Sequence, residues 1–164
     1  MHNAVVTGSR EKENRVSLWQ LPYISAGAEQ LEEAVANRYT GQVRESEKRG
    51  GSDFSALDYA GTIDFTNPQA VVWYQGLLKR LLEMGVACIK TDFGEEIHMN
   101  ARYHSMAPEV LSNLYPLLYQ KAAFEVTREV TGEGIIWARA AWAACQRFPL
   151  HWGGDGASSH DGMA

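Results

Sequence analysis

Apolar positions divide the chain into short extended runs separated by two long amphipathic segments. In Arg15-Val16-Ser17-Leu18-Trp19-Gln20-Leu21, Val16 and Leu18 alternate with polar neighbours until Pro22 stops the run, which reads as a strand. Ala28 to Tyr39 has the pattern of a short helix. Gly41 to Thr62 is charged, contains glycine and is poor in large apolar residues, which predicts an excursion loop. Long loops inside compact domains often carry function. Asn67 is a good N-cap and Pro68 suits the first helical position, where no amide partner is needed. Trp73, Leu77 and Leu81 recur at helical spacing, as do Tyr74 and Leu78, until Gly85 supplies the stop. The apolar run Val86-Ala87-Cys88-Ile89 follows, a buried strand by its length and bounding glycine. It leads directly into Lys90-Thr91-Asp92-Phe93-Gly94-Glu95. A second long helix is predicted over 113–131, with Pro116 in its first turn and Gly132 at its end. Ile135 to Arg139 reads as a third strand and Phe148 to Trp152 as a short fourth.

Strands that alternate with helices predict parallel βαβ units, an α/β fold. About four parallel strands do not close an eight-stranded (β/α)8 barrel, which takes ~250 residues. The 164 residues therefore form either an open α/β domain or a partial TIM barrel. Residues 1–14 are polar and unassigned, and the domain is expected over 15–164.

Composition narrows the function. Hydrophobic residues make up 45%, so the chain is not compositionally disordered, and no apolar run approaches the ~20 residues of a membrane helix. The N-terminus lacks the layout of a signal peptide. A net charge of -5 argues against nucleic acid as the main partner. Cys88 and Cys145 lie in apolar contexts with no Cys/His cluster, which suggests buried thiols in a cytoplasmic protein rather than a zinc site. Oligomerisation is left open.

In parallel α/β folds the carboxyl ends of the strands form the reactive face. Three predicted strand ends carry chemistry: Lys90, Asp92 and Glu95 on the second, Arg139 on the third, and His151-Trp152-Gly153-Gly154-Asp155 after the fourth. Two carboxylates on one rim suit acid/base or nucleophile/acid work. Their separation would distinguish retention from inversion in glycoside cleavage, and sequence spacing does not supply it. Each residue also has a structural use. A strand-end aspartate can cap a turn, Lys90 and Arg139 can form ion pairs, and Trp19, Trp137 and Trp152 can fill a core. His151, His160 and Asp155 match no strong metal motif.

Lys90 to Glu95, Trp137-Ala138-Arg139 and His151 to Asp155 together resemble the catalytic blocks of family 31 glycoside hydrolases, the α-glucosidases and α-xylosidases. Ser17-Leu18-Trp19-Gln20-Leu21-Pro22-Tyr23-Ile24 and Ile63-Asp64-Phe65-Thr66-Asn67-Pro68 resemble segments of the α-xylosidase branch. The five blocks run in order from about Arg15 to Ala164, as in an internal fragment of the catalytic barrel. The resemblance implies a retaining mechanism through a covalent glycosyl intermediate, with no metal or organic cofactor and an α-linked glycoside or oligosaccharide as substrate. Asp92 takes the nucleophile's place and Asp155 that of the general acid/base. Arg139 and Trp152 match positions that line the sugar pocket, and Lys90 and Trp19 match positions near it. Such roles would need Lys90 and Arg139 to hold Asp92 ionised, and a partly dry, aromatic setting beside Trp152 to keep Asp155 protonated. Ala141, Ala144 and Cys145 stand where related sequences often carry Ser, Gly and Ser. A truncated, non-catalytic sugar-binding piece is the alternative in a different class.

Overall fold

The computed structural model describes residues 14–43 and 59–163. Its main sheet contains β1 (Ser17–Gln20), β4 (Cys88–Thr91) and β5 (Ile136–Ala138), all parallel and in the order β1-β4-β5. The predicted fourth strand is present as main-chain pairing rather than as a full strand. His151 bridges Ala138 in parallel, Leu150 N donates to the Ile136 carbonyl, and Trp152 N donates to the Ala138 carbonyl. Four parallel segments therefore lie side by side, a partial barrel of the expected α/β class. A separate antiparallel pair joins β2 (Tyr23–Ile24) to β3 (Gly61–Thr62). The end of the predicted excursion loop is thus a strand; residues 44–58 of that loop lie outside the described residues.

The helices differ from expectation at their ends. α1 is confined to Leu31–Ala36, because Arg38 turns to a left-handed φ of 57° and takes the chain out of the helix. α2 (Pro68–Glu83) begins as predicted: the Asn67 side chain accepts from Gln69 N at 3.0 Å, and Pro68 occupies the first turn. α3 spans Pro108–Thr131, five residues longer at its start than predicted. Pro108 rather than Pro116 takes the first position, and Ala107 is extended, the conformation a following proline favours. Pro116 is buried inside the helix. Gly132, at φ 80°, ends it as expected.

α2 and α3 pack on one face of the sheet. Ile89, Thr91, Ile136 and Ala138 point to that face and are all but inaccessible. Around them Phe65, Tyr74, Tyr115 and Tyr119 form an aromatic cluster with ring centroids 5.2–6.1 Å apart. The opposite face carries Trp19, Lys90 and Trp137 in one register row across the three strands. Trp19 and Trp137 are exposed there, so these two are not core residues.

Three polar side chains of α3 fasten the strand ends. Tyr119 Oη donates to the carbonyls of Gln20 at 3.2 Å and Asp92 at 3.4 Å. Tyr115 Oη reaches the Ile63 carbonyl at 2.8 Å and that of Pro22 at 3.4 Å. Gln120 donates to the Ala140 carbonyl and meets His151 Nε2 at 3.1 Å through its Oε1. No helix among the described residues is long and apolar enough to cross a membrane.

Beyond β5 the chain enters a short 3-10 turn (Cys145–Arg147) through Ala144, held at φ 79°. A left-handed alanine is strained where glycine would not be. Ala144→Gly should therefore stabilise the protein by about 0.5–1 kcal/mol, the relief exceeding the entropy returned to the unfolded chain. Tyr119→Phe should cost about 1–2 kcal/mol, since the Asp92 carbonyl loses this donor in a dry setting. Urea denaturation followed by circular dichroism checks both, and opposite signs for the two variants are expected.

Candidate active site

Asp92 follows the last residue of β4, and its side chain is 8% exposed. A buried carboxylate must be compensated, and here four groups converge on it. Trp19 Nε1, from the neighbouring β1, donates to Oδ2 at 2.6 Å. Lys90 Nζ lies 3.3 Å from the same oxygen. The Phe93 amide donates to Oδ1 at 3.1 Å, and Arg139 Nη1, from the end of β5, approaches Oδ1 at 3.5 Å. The parallel register makes this possible: Trp19, Lys90 and Trp137 are direct neighbours across the sheet.

Burial pushes the Asp92 carboxyl up. The Trp19 indole, the Phe93 amide and the Lys90 ammonium outweigh it, and the net direction is down from the ordinary value of 3.8. Ionisation at neutral pH is as expected, but the lowering comes from the Trp19 and Phe93 hydrogen bonds as well as from Lys90, which acts both by charge and by hydrogen bond. Lys90 is itself gripped by aromatic faces, 4.2 Å from the Trp152 ring centroid and 5.4 Å from that of Trp137. Arg139 lies over the Phe93 ring at 4.3 Å and donates from Nε to Glu95 Oε1 at 2.8 Å.

The local chain path serves this cluster. Phe93 and Gly94 both take left-handed φ values, 56° and 97°, which swing the segment after Asp92 sharply off the strand axis. Gly94 has a second constraint: an added Cβ would lie 3.1 Å from the Tyr119 ring. Its amide donates to Tyr23 Oη at 3.1 Å, and Tyr23 Oη donates to the Glu96 carbonyl at 3.0 Å.

The structure brings Trp19, Lys90, Asp92, Arg139 and Trp152 together. Asp155 lies three residues past Trp152, on the same end of the parallel sheet, and is exposed. The dry aromatic setting expected for it is not formed among the described residues. Gly153 and Gly154, the latter at φ 109°, carry the chain into solvent immediately after Trp152. Trp152 itself is half-buried, and no described group accepts from its buried Nε1.

Sequence reasoning missed the site roles of Glu95, Phe93 and Tyr23, although Glu95 was visible as a second carboxylate on the same strand end. It also missed Asp64, a buried carboxylate that accepts from Thr66 N at 3.0 Å, Thr66 Oγ1 at 2.6 Å and His104 N at 2.6 Å. The Asp-x-Thr spacing is the signal that could have shown this turn. Asp64 lines a cleft of about 780 Å³ with Arg38, Arg102 and His104, and no residue of the Asp92 cluster shares it. Among the described residues no group of three or more His, Cys, Asp or Glu is placed to hold a metal ion.

Comparison with known proteins bears on this site. The model of the glycosyl hydrolases family 31 TIM-barrel domain matches residues 2–164. An alpha-xylosidase of Emericella nidulans is 35% identical over 162 residues, covering 94% of this chain and 20% of the relative. Alpha-xylosidase XylQ of Lactiplantibacillus pentosus is 36% identical over 134 residues, covering 77% of this chain and 17% of the relative. A family 31 sulfoquinovosidase of E. rectale, solved with an aza-sugar inhibitor, superposes with a TM-score of 0.78 at 25% identity, over 94% of this chain and 24% of its own. The chain thus spans about a fifth of the length of the curated relatives it matches.

A carboxyl that titrates lower in the folded protein than in the unfolded chain stabilises the fold above its unfolded value and loses that contribution as pH falls through the folded value. Asp92→Ala should cost about 2–3 kcal/mol at pH 7, because Trp19, the Phe93 amide and Lys90 lose their shared acceptor. The difference between the two proteins should shrink progressively once pH drops below 3.8. Denaturant midpoints measured from pH 7 to pH 2 read it directly. A difference that stays constant across this range would contradict the arrangement described.

Proposed function

This chain belongs to glycoside hydrolase family 31, and we propose that it carries the catalytic carboxylates of a retaining α-glycosidase, with Asp92 as nucleophile and Asp155 as general acid/base. The observation that carries the reading is the buried, ionised Asp92 carboxylate held at a strand end by Trp19, the Phe93 amide and Lys90. An ionised oxygen is what attack on an anomeric carbon requires. Fixing it in advance removes the orientational cost at the moment of reaction. In double displacement Asp92 forms the ester bond to the anomeric carbon as the bond to the leaving oxygen breaks. Asp155 delivers its proton to that oxygen, then takes one from the water that cleaves the ester. Asp155 thus loses one proton and regains one in each cycle, and its exposure gives the attacking water a direct route to it.

Charge on the rim supports a neutral sugar as the substrate. The two cations beside the nucleophile are already matched, Lys90 by Asp92 and Arg139 by Asp92 and Glu95. Neither is free to neutralise an anionic substituent. The tryptophan faces at 19 and 137 offer apolar surface on which a sugar ring can stack. Two α-xylosidase relatives favour α-xylosides over α-glucosides among neutral substrates.

The test is release of p-nitrophenol from p-nitrophenyl α-xyloside and α-glucoside by the chain, Asp92→Ala and Asp155→Ala. Asp92→Ala should lose activity by a factor on the order of 10³ or more. Added azide should restore turnover and give the β-glycosyl azide, since it attacks from the side the carboxylate has vacated. Azide with Asp155→Ala should give the α-product, from the opposite side. No hydrolysis by the unaltered chain, or equal hydrolysis by the chain and Asp92→Ala, sinks the proposal and leaves sugar binding without turnover.

A further inference from the structure

We infer that Glu95 is a positioning residue that restrains Arg139, keeping its guanidinium beside the Asp92 carboxylate without letting it close into a full ion pair. The inference deepens the glycosidase reading and rests on it for its meaning in catalysis.

The geometry of three contacts leads there. Arg139 gives its best hydrogen bond, Nε to Oε1 at 2.8 Å, to Glu95. Its contact with Asp92, Nη1 to Oδ1, is 3.5 Å, well outside the ~2.7–2.9 Å of a charge-assisted bond. The guanidinium plane is held from a third direction by the Phe93 ring at 4.3 Å. Asp92 and Glu95 are both unit anions, and Asp92 is the more buried, so an unrestrained arginine would be drawn to Asp92. The observed preference for Glu95 is a product of chain path. Left-handed Phe93 and Gly94 turn the segment back toward β5, and Tyr23 pins it by accepting from Gly94 N and donating to the Glu96 carbonyl. Glu95 is thereby presented to Arg139 from a fixed backbone.

The restraint has a chemical consequence. A bidentate arginine on Asp92 would occupy both oxygens and lower their basicity, weakening the nucleophile. An arginine anchored through Nε keeps its remaining donors beside the carboxylate. Arg139, Glu95 and Phe93 also line a recess of about 160 Å³ with Tyr23 and Glu96, so the guanidinium remains accessible to a ligand hydroxyl. The groups that face Asp92 are Trp19 from β1, Lys90 from its own strand and Arg139 from the end of β5. Glu95 acts on it through the last of these.

A double-mutant cycle on the full chain tests this. Asp92 is followed by NMR of carboxyl-labelled aspartate, its signal assigned with Asp92→Asn. With Arg139 present, Glu95→Ala should let the guanidinium close on Asp92, so that its titration midpoint falls by about 0.5 or more. Glu95→Asp, with a shorter reach, should move it the same way by less. In an Arg139→Ala background, Glu95→Ala should leave the midpoint unchanged. An unmoved midpoint in Glu95→Ala overturns the inference. So does an equal fall with Arg139 absent, because Glu95 would then act by its own charge. In the hydrolysis assay Glu95→Ala should lower kcat about tenfold and raise KM, with partial recovery in Glu95→Asp. If hydrolysis does not depend on Asp92, the glycosidase reading fails while the titrations still decide whether Glu95 restrains Arg139.

Discussion

A negative charge held almost out of water at the end of a parallel strand needs partners, and the meeting of Asp92 with its partners organises the rest of this structure. The indole, the ammonium, the amide and the guanidinium come from β1, β4, the turn after β4 and the end of β5. They can meet only if those three strands are parallel and in register. The sheet order β1-β4-β5 brings the outer two to the central one from either side. The same requirement explains the two left-handed residues that follow Asp92. A chain leaving the strand straight ahead would carry Glu95 away from Arg139.

Much of this was legible in the residues. The Asn67-Pro68 start of α2, its Gly85 stop and the buried run into Lys90 and Asp92 are local signals with local causes, and they appear where the pattern places them. The start of α3 was hidden because two prolines compete for the same role, and Ala107, the residue before Pro108, has no side chain to cap the helix. The β2–β3 pair was invisible because two-residue strands have no period to detect. Within the site, the charged residues could be named, but their division of labour could not. Trp19 reads as a core or stacking residue until the register with Lys90 places its ring nitrogen on Asp92. The setting of Asp155 was misjudged for a related reason. An adjacent tryptophan in sequence suggests shelter, but glycines on either side of the aspartate let the chain turn outward.

The two faces of the sheet have opposite characters. One is closed by α2 and α3 over aliphatic and tyrosine side chains. The other presents Trp19, Lys90 and Trp137 in a row that the described residues leave open. In a complete barrel of this family that second face looks inward, toward the other strands. Lys90 between Trp137 and Trp152 supplies cohesion on this open side, a cation held by ring faces where neighbouring strands would otherwise provide contacts.

The α3 clamp has a consequence for how such a rim can change. Tyr115, Tyr119 and Gln120 grip main-chain carbonyls, those of Pro22, Ile63, Gln20, Asp92 and Ala140. A carbonyl is supplied by every residue type, so these anchors are blind to the identity of the side chains they hold in place. Substitutions at strand tips outside the Asp92 cluster can therefore accumulate while these main-chain anchors stay in place. Three helix residues thus hold the rim by its main chain, and side chains that do not touch Asp92 can change there while those anchors remain.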